Sequence, residues 1–369
     1  MSSTYHSYTK GSMFIAAVLL AVLPVWADNG PNHQVAQLWP VQLGTSGGSI
    51  NDISRRYCCS GTLGALVQDD AGAVYILSNN HVLARSNQGH AGDDVNQPGM
   101  VDQNCAQQGV LADLSAFVPL QFKSKRIVPL NTVDCAIALA RAGSVRSDGA
   151  ILDIGSVSAN TVSAFAGQAV QKSGRTTGRT VGSVAAIDVT VDVGYSKSCG
   201  GASSQVARFV HQIRISPGTF SAGGDSGSLI VESGATDPTD HLPRAVGLLF
   251  AGSSTTTIAN PIDSILSSLG VTMVGGPAAK SVSSGAAGQV LSAESKKQLV
   301  KAQFVKAINS NRLLAIPGAV GHGVAVGANG QHAIEVYLEN DSSLARAMTP
   351  RNLGGVPVQV VVTGPITAF

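Results

Sequence analysis

Charge is scarce in this sequence: acidic and basic side chains make up 12% of 369 residues and nearly cancel, leaving a net charge of +2. Without an electrostatic footprint for a polyanion, nucleic acid is not an expected partner. Long apolar runs are equally scarce. One stretch, Met13–Val25, follows Lys10 and leads into Val25-Trp26-Ala27. A charged start, an apolar middle and a small-residue end form the pattern of an export signal, with cleavage expected after Ala27. The competing reading, an uncleaved anchor, needs a longer span than this one, which also contains Pro24. No other segment is long and apolar enough for a transmembrane helix, so no membrane association is expected once the signal is removed. There is also no C-x-x-C pair among Cys58, Cys59, Cys105, Cys135 and Cys199, and adjacent Cys58-Cys59 is not a ligand spacing for one tetrahedral ion. Structural cysteines are the better account. They fit a secreted or periplasmic protein with up to two disulfides and one thiol left over, the pairing remaining open. No metal and no organic cofactor is implied.

Amphipathic helical stretches are rare before residue 290, whereas 42 glycines and many Ser, Thr and Val residues suit short strands joined by turns. An all-β core is the natural reading. Apolar or alternating runs at Leu63–Val67, Ala73–Ser78 and Leu111–Leu120 form a first series, interrupted by a polar loop at Ala84–Gln107 and ending near Arg141. A second series comprises Ile151–Ile154, Gln168–Gln171, Thr180–Val193, Val206–Ile215, Ser228–Glu232 and Arg244–Phe250, closed by a short helix at Pro261–Leu269. Gly275–Gly288, rich in Gly, Ala and Ser, reads as a linker. Beyond it the periodicity changes. Ser292 is placed to cap a helix running to about Asn309, with Val300, Phe304 and Ile308 at i+4 spacing. Strands at Gly323–Gly327 and Ala333–Glu339, a helix about Ser342–Met348 and a strand Val356–Thr363 complete a small α+β module. Gly321–Gly327 lacks the strand–GxGxxG–helix setting of a nucleotide site and reads as a turn between strands. No internal repeat is visible. The expected organisation is a signal (1–27), a lead-in (28–44), two β units (45–145 and 146–275), a linker (276–289) and the α+β module (290–369).

One hexapeptide carries chemistry: Gly223-Gly224-Asp225-Ser226-Gly227-Ser228. A serine hydroxyl is a poor nucleophile at neutral pH and needs a base for its proton and donors for the oxyanion formed on attack. Flanking glycines let the backbone turn so that two N–H groups converge on one point. His81, where the apolar run Ile76-Leu77 enters Ser78-Asn79-Asn80-His81-Val82, is the candidate base. Asp134, just before the apolar run Cys135-Ala136-Ile137-Ala138-Leu139, is the candidate carboxylate; Asp93, Asp94, Asp102 and Asp113 precede no such run. His6, His33, His90, His211, His241, His322 and His332 lie in no comparable setting and read as surface or satisfied core residues.

The order His, Asp, Ser, separated by 53 and 92 residues, is the order used on double β-barrels. On Asn80-His81, Asp134-Cys135-Ala136-Ile137, Gly224-Asp225-Ser226-Gly227 and Lys172-Ser173-Gly174-Arg175-Thr176-Thr177-Gly178, the chain resembles the chymotrypsin-like serine endopeptidases, the bacterial alpha-lytic type most of all. The resemblance spans about residues 45 to 275. It implies two six-stranded antiparallel β-barrels followed by the α+β module, and hydrolysis of a polypeptide substrate through an acyl-enzyme. It also implies Ser226 as nucleophile, His81 as base, Asp134 as its orienting partner, and the N–H groups of Gly224 and Ser226 as the oxyanion hole. Asp225 is expected to ion-pair internally, with Arg175 a guess for its partner. Phe220, six residues before the serine, and Ser221 are expected in the primary pocket, and an acidic side chain for binding Lys or Arg is missing there. The strand through Leu249, Phe250, Ala251 and Gly252 is expected to pair with extended substrate, though Val246–Gly252 also reads as plain core strand. In relatives, Cys59 would pair with a cysteine beside the histidine; Val82 stands there, so that disulfide is not expected. A barrel that binds without catalysing is the alternative reading, with the intact set of three residues against it. A third reading makes residues 290–369 a docking or self-inhibitory module attached to an active protease; their residues do not reveal the role.

Overall fold

The computed structural model describes residues 32–276, 292–327 and 329–369. The expected export signal and almost all of the expected linker therefore lie outside the described residues. Strands of the first half are β1 (Thr45–Ser49), β2 (Gly61–Leu63), β3 (Ala65–Gln68), β4 (Val74–Ser78), β5 (Asp94–Asn96), β6 (Val110–Phe117), β7 (Leu130–Asn131) and β8 (Ala136–Ala140). The second half contributes β9 (Ala169–Gly174), β10 (Gly178–Ser196), β11 (Ser203–Ser216), β12 (Leu229–Glu232), β13 (Ala245–Gly252), β14 (Thr257–Pro261) and β15 (Thr272–Met273). After these come β16 (Ala319–Val326), β17 (His332–Leu338), β18 (Asn352–Leu353), β19 (Val356–Val362) and β20 (Thr367–Ala368). Helices are α1 (Asn80–Leu83), α2 (Ile262–Leu269), α3 (Ala293–Leu314) and α4 (Ser343–Met348).

Closure of the first barrel turns on one bent strand. β2 pairs with β1 (Thr45↔Leu63), and its continuation β3 pairs with β4 (Leu66↔Ile76). The circuit then runs β4–β8–β6–β5 and returns to β1, giving six positions in all. At the bend, a Cβ on Gly64 would lie 1.9 Å from the carbonyl oxygen of Gly227, so glycine is what allows the first barrel to touch the serine loop of the second. The second barrel follows the order β10–β9–β12–β13–β14–β11 and closes through the β11–β10 pairing. Alternating inward side chains fill each barrel, and Leu229, Val231, Leu248 and Ile262 of the second half join the core of the first. Two closed six-stranded antiparallel barrels are the chymotrypsin-like architecture expected from the sequence.

Several local expectations change. Ile151–Ile154 forms a turn with isolated bridges at Ile151 and not a strand, since its register partners are single residues. β1, composed of Thr, Ser and Gly yet wholly buried, gave no apolar signal, and β5 lies inside the polar loop 84–107. The thiols pair as Cys58–Cys105 and Cys59–Cys199, leaving Cys135 free and buried.

The C-terminal α+β element does not hang apart from the barrels. β16 pairs antiparallel with β10 (Ile187↔Val324), so β18–β19–β17–β16 extend the sheet of the second barrel into one of twelve strands. A buried ion pair, Arg214 Nη2 to Glu335 Oε2 at 2.8 Å, and a second, Lys306 Nζ to Asp188 Oδ2 at 2.7 Å, cross the junction. Ser292 caps α3 as expected, its hydroxyl accepting from the Ser295 N–H. The helix, however, continues to Leu314 and buries Ala302, Val305, Lys306 and Leu313. Val300, Phe304 and Ile308 face outward at 63–65% exposure. Ala302, Val305 and Leu313 on the opposite stripe join the core formed with Val324, Ile334, Val336 and Leu338 of β16 and β17.

Candidate active site

His81 sits in the single turn α1, just after β4, and Asp134 lies two residues before β8, the strand paired with β4 (Ser78↔Ala136). Adjacent strands thus bring their ends together. His81 Nδ1 lies 2.6 Å from Asp134 Oδ2, and the His81 N–H donates to Asp134 Oδ1 at 3.2 Å. Asp134 is fully buried. Three neighbours fix it: Asn79 Nδ2 donates to its carbonyl at 2.7 Å, its N–H donates to Asn260 Oδ1 at 3.0 Å, and the Tyr195 hydroxyl donates to Oδ2 at 2.8 Å. Behind them Tyr195, Phe209 and Phe250 form an aromatic row, with successive ring centroids 6.3 and 4.7 Å apart. Burial opposes protonation of His81. The Asp134 carboxylate, the bond to it, the Phe369 carbonyl and Asp52 outweigh that, and the imidazole pKa lies above its ordinary value.

The serine loop enters the same cleft from the second barrel. Thr62 of β2 reaches across to it, donating its N–H to Ser226 O at 2.8 Å and its hydroxyl to Gly224 O at 3.0 Å. Gly224 holds φ +96°, a conformation open to glycine and costly for other residues. Among the described residues neither the Gly224 N–H nor the Ser226 N–H has an acceptor, although the Asp225 N–H between them donates to Ala222 O. Asp225 points inward. Its carboxylate accepts from the N–H groups of Thr176, Thr177 and Ala222 and from the Thr177 hydroxyl. The cation facing it is Lys172, with Nζ 3.4 Å from Oδ2 and no exposure, and not Arg175, which forms a two-pronged pair with Asp102. Lys172 lies on β9 pointing into the barrel, whereas Arg175 has left that strand and turned toward the first barrel.

The expected pocket residues also gather here. Phe220 is fully buried in the core of the second barrel, with Lys172 Nζ 6.0 Å from its ring centroid, and Ser221 is tied to Thr257. Phe250 O accepts from the Ser226 hydroxyl at 3.1 Å. Ala251 and Gly252 pair with β20 (Ala251↔Ala368, Gly252↔Thr367), and Phe369 places its carbonyl oxygen 3.1 Å from His81 Nε2. Thus the serine hydroxyl and His81 Nε2 are each engaged with a main-chain carbonyl. A cavity of about 170 Å³ beside His81 is bordered by Asp52, Arg85, Tyr195, the Cys59–Cys199 bridge and Phe369. Burial raises the Asp52 carboxyl to about 6 against the opposing pull of Arg85 and His81.

Sequence reasoning missed Tyr195, Lys172 as the partner of Asp225, and the chain's last strand. Tyr195 lies sixty-one positions from Asp134 and is brought to it only by the length of β10. Thr367-Ala368-Phe369 is too short to show a period. Among the described residues no cluster of His, Cys, Asp and Glu is arranged to hold a metal ion, and no helix is long and apolar enough to cross a membrane.

No family model matches this chain, and no curated protein does. Solved structures do. A glutamic acid specific serine protease is similar at 22% identity and TM-score 0.42, over 63% of this chain and 100% of that one. The chymotrypsin of Cellulomonas bogoriensis is similar at 20% identity and TM-score 0.39, over 63% and 98%. An alpha-lytic protease homologue, N4, is similar at 18% identity and TM-score 0.38, over 63% and 98%. The two-barrel assignment rests on the strand pairings themselves.

Proposed function

We propose that this chain is an exported serine endopeptidase acting through Ser226, His81 and Asp134. The observation that carries the reading is the Asp134–His81 pair at 2.6 Å, together with a Gly224–Ser226 turn whose first and last N–H groups have no acceptor among the described residues. In the reaction, Ser226 Oγ attacks a peptide carbonyl carbon while its proton passes to His81 Nε2. The N–H groups of Gly224 and Ser226 receive the developing oxyanion. His81 then gives the proton to the leaving amine as the C–N bond breaks, leaving an acyl-enzyme. Water repeats the sequence and frees the serine. Asp134 holds the imidazole with Nδ1–H toward itself and stabilises the charged ring. Two disulfides support an oxidising destination, secreted or periplasmic.

The test is intact-mass analysis after exposure to a fluorophosphonate. One adduct on the wild type, absent from Ser226→Ala and from His81→Ala, is the expected outcome. A folded protein that gives no adduct in any form, including one freed of its last residues, would leave a binding barrel and overturn the enzyme.

A further inference from the structure

The polypeptide-binding strand of the cleft is occupied by the protein itself. Thr363 O accepts from the hydroxyls of Ser253 and Thr255, and Ile366 is buried at 4% exposure in the aromatic core around Tyr195, Phe209 and Phe250. Thr367 lies between two strands, parallel to β10 at Gly194 and antiparallel to β13 at Gly252. Ala368 pairs with Ala251. The Phe369 N–H then points to Phe250 O at 3.4 Å, and its carbonyl oxygen to His81 Nε2 at 3.1 Å. Its ring packs on the core cluster containing Phe220 and Leu249. The ring also fills the space above Gly252, where a Cβ would come within 2.6 Å of Cζ.

An extended peptide held by main-chain bonds to a sheet edge, with one side chain in a pocket, is how the half of a substrate before the cleaved bond would lie in this cleft. We propose that Ile366–Phe369 is a resident pseudosubstrate: it masks the cleft, and its residues report the substrate class, a chain with a large apolar side chain at the cleavage position and a small residue before it. The proposal rests on the endopeptidase reading. One engagement supports masking: with the Phe369 oxygen in place, His81 faces an acceptor at both ring nitrogens, an arrangement that favours the imidazolium, which cannot take a serine proton. The contact of the ring is direct: it lies over Gly252, where a side chain would displace it, and packs on the apolar cluster that contains Phe220. Because the segment is tethered, it acts at an effective concentration on the order of millimolar, so even weak intrinsic affinity keeps the cleft filled.

Fluorophosphonate adduct formation at Ser226 is to be timed for three forms: the full chain, a form ending at Thr363, and the full chain with Phe369→Gly. The single substitution guards against misfolding of the shortened form, whose Ile366 anchor is gone. Adducts forming about tenfold faster or more in both altered forms are expected. The shortened form should cleave acetyl-Thr-Ala-Phe-anilide in preference to the Lys and Glu analogues, and acetyl-Ile-Thr-Ala-Phe should slow its labelling. Equal labelling rates in all three forms, or preference for the Lys or Glu substrate, would overturn the pseudosubstrate and leave the endopeptidase standing. Absence of any adduct from folded samples of all three would overturn the endopeptidase as well.

Discussion

Tyr195 donates its hydroxyl hydrogen to Asp134 Oδ2 at 2.8 Å, the same oxygen that faces His81 Nδ1 at 2.6 Å. Both partners are buried, and burial together with the Asp134 charge keeps the phenol protonated well past its ordinary range. The second barrel therefore helps to hold the carboxylate that faces His81 of the first.

Tyr195→Phe removes one hydrogen bond to a buried carboxylate, about 1.5–3 kcal/mol, and is expected to slow acylation of Ser226 roughly ten- to a hundredfold with KM little changed. With one donor lost, Asp134 presents more charge to His81 and favours its protonated form. The midpoint of the pH–rate profile should then move upward. A purely structural role would lower thermal stability and leave that midpoint in place.

Lys172 is the fully buried cation that faces Asp225 beneath the serine loop, donating also to Gly178 O at 2.8 Å. Lys172→Met strands a buried carboxylate, for which the typical cost is about 3–5 kcal/mol. Urea unfolding should register that loss, and the double variant with Asp225→Asn should lose less than the two single losses combined.

The pH response of the full chain should differ from that of the form ending at Thr363. The Phe369 carbonyl contributes to the raised pKa of His81, together with Asp134 and Asp52, while Arg85 stands beside Asp52 in the cavity. A raised pKa means that the seated tail is held most firmly below the ordinary histidine range. That hold is lost as pH rises through the raised value. Fluorophosphonate labelling of the full chain should accordingly rise at higher pH than labelling of the shortened form. Asp52→Asn, which removes a charge favouring imidazolium, should shift both midpoints downward.

Glu335 is the only carboxylate among the described residues that Arg214 bonds to, and it is held further by the Tyr337 hydroxyl at 3.1 Å. Glu335→Ala leaves the guanidinium buried and unpaired, with an expected loss of about 3–5 kcal/mol in urea unfolding. Hydrogen exchange should show the loss first along β16 and β17.

The sequence made the chemistry legible wherever residue type and setting coincide: a serine among glycines, a histidine closing an apolar strand, an aspartate opening another. The histidine and the aspartate meet because β4 and β8 are neighbours, and the serine is carried on a loop of the second barrel. What stayed hidden depends on position in space. β1, Thr-Ser-Gly-Gly-Ser, is buried without an apolar side chain, because its register against β2 and β5 leaves little room inside: a Cβ on Gly47 would lie 2.4 Å from Leu63 Cγ. The stripe Val300, Phe304 and Ile308 has helical period, and period alone does not say which face packs. Arg175 and Lys172 share one motif, and only the direction each side chain takes at the end of β9 decides which reaches Asp225.

β10 is bonded along both flanks, to β11 on one side and, at Ala186–Val191, to β16 on the other. Removing everything after residue 290 would leave that stretch of β10 as an open ladder of N–H and C=O groups, a template for strand addition between molecules. Self-association, and not release of the cleft, would then dominate what such a fragment does; a cut at Thr363 instead keeps β16 to β19 in place and removes β20 alone.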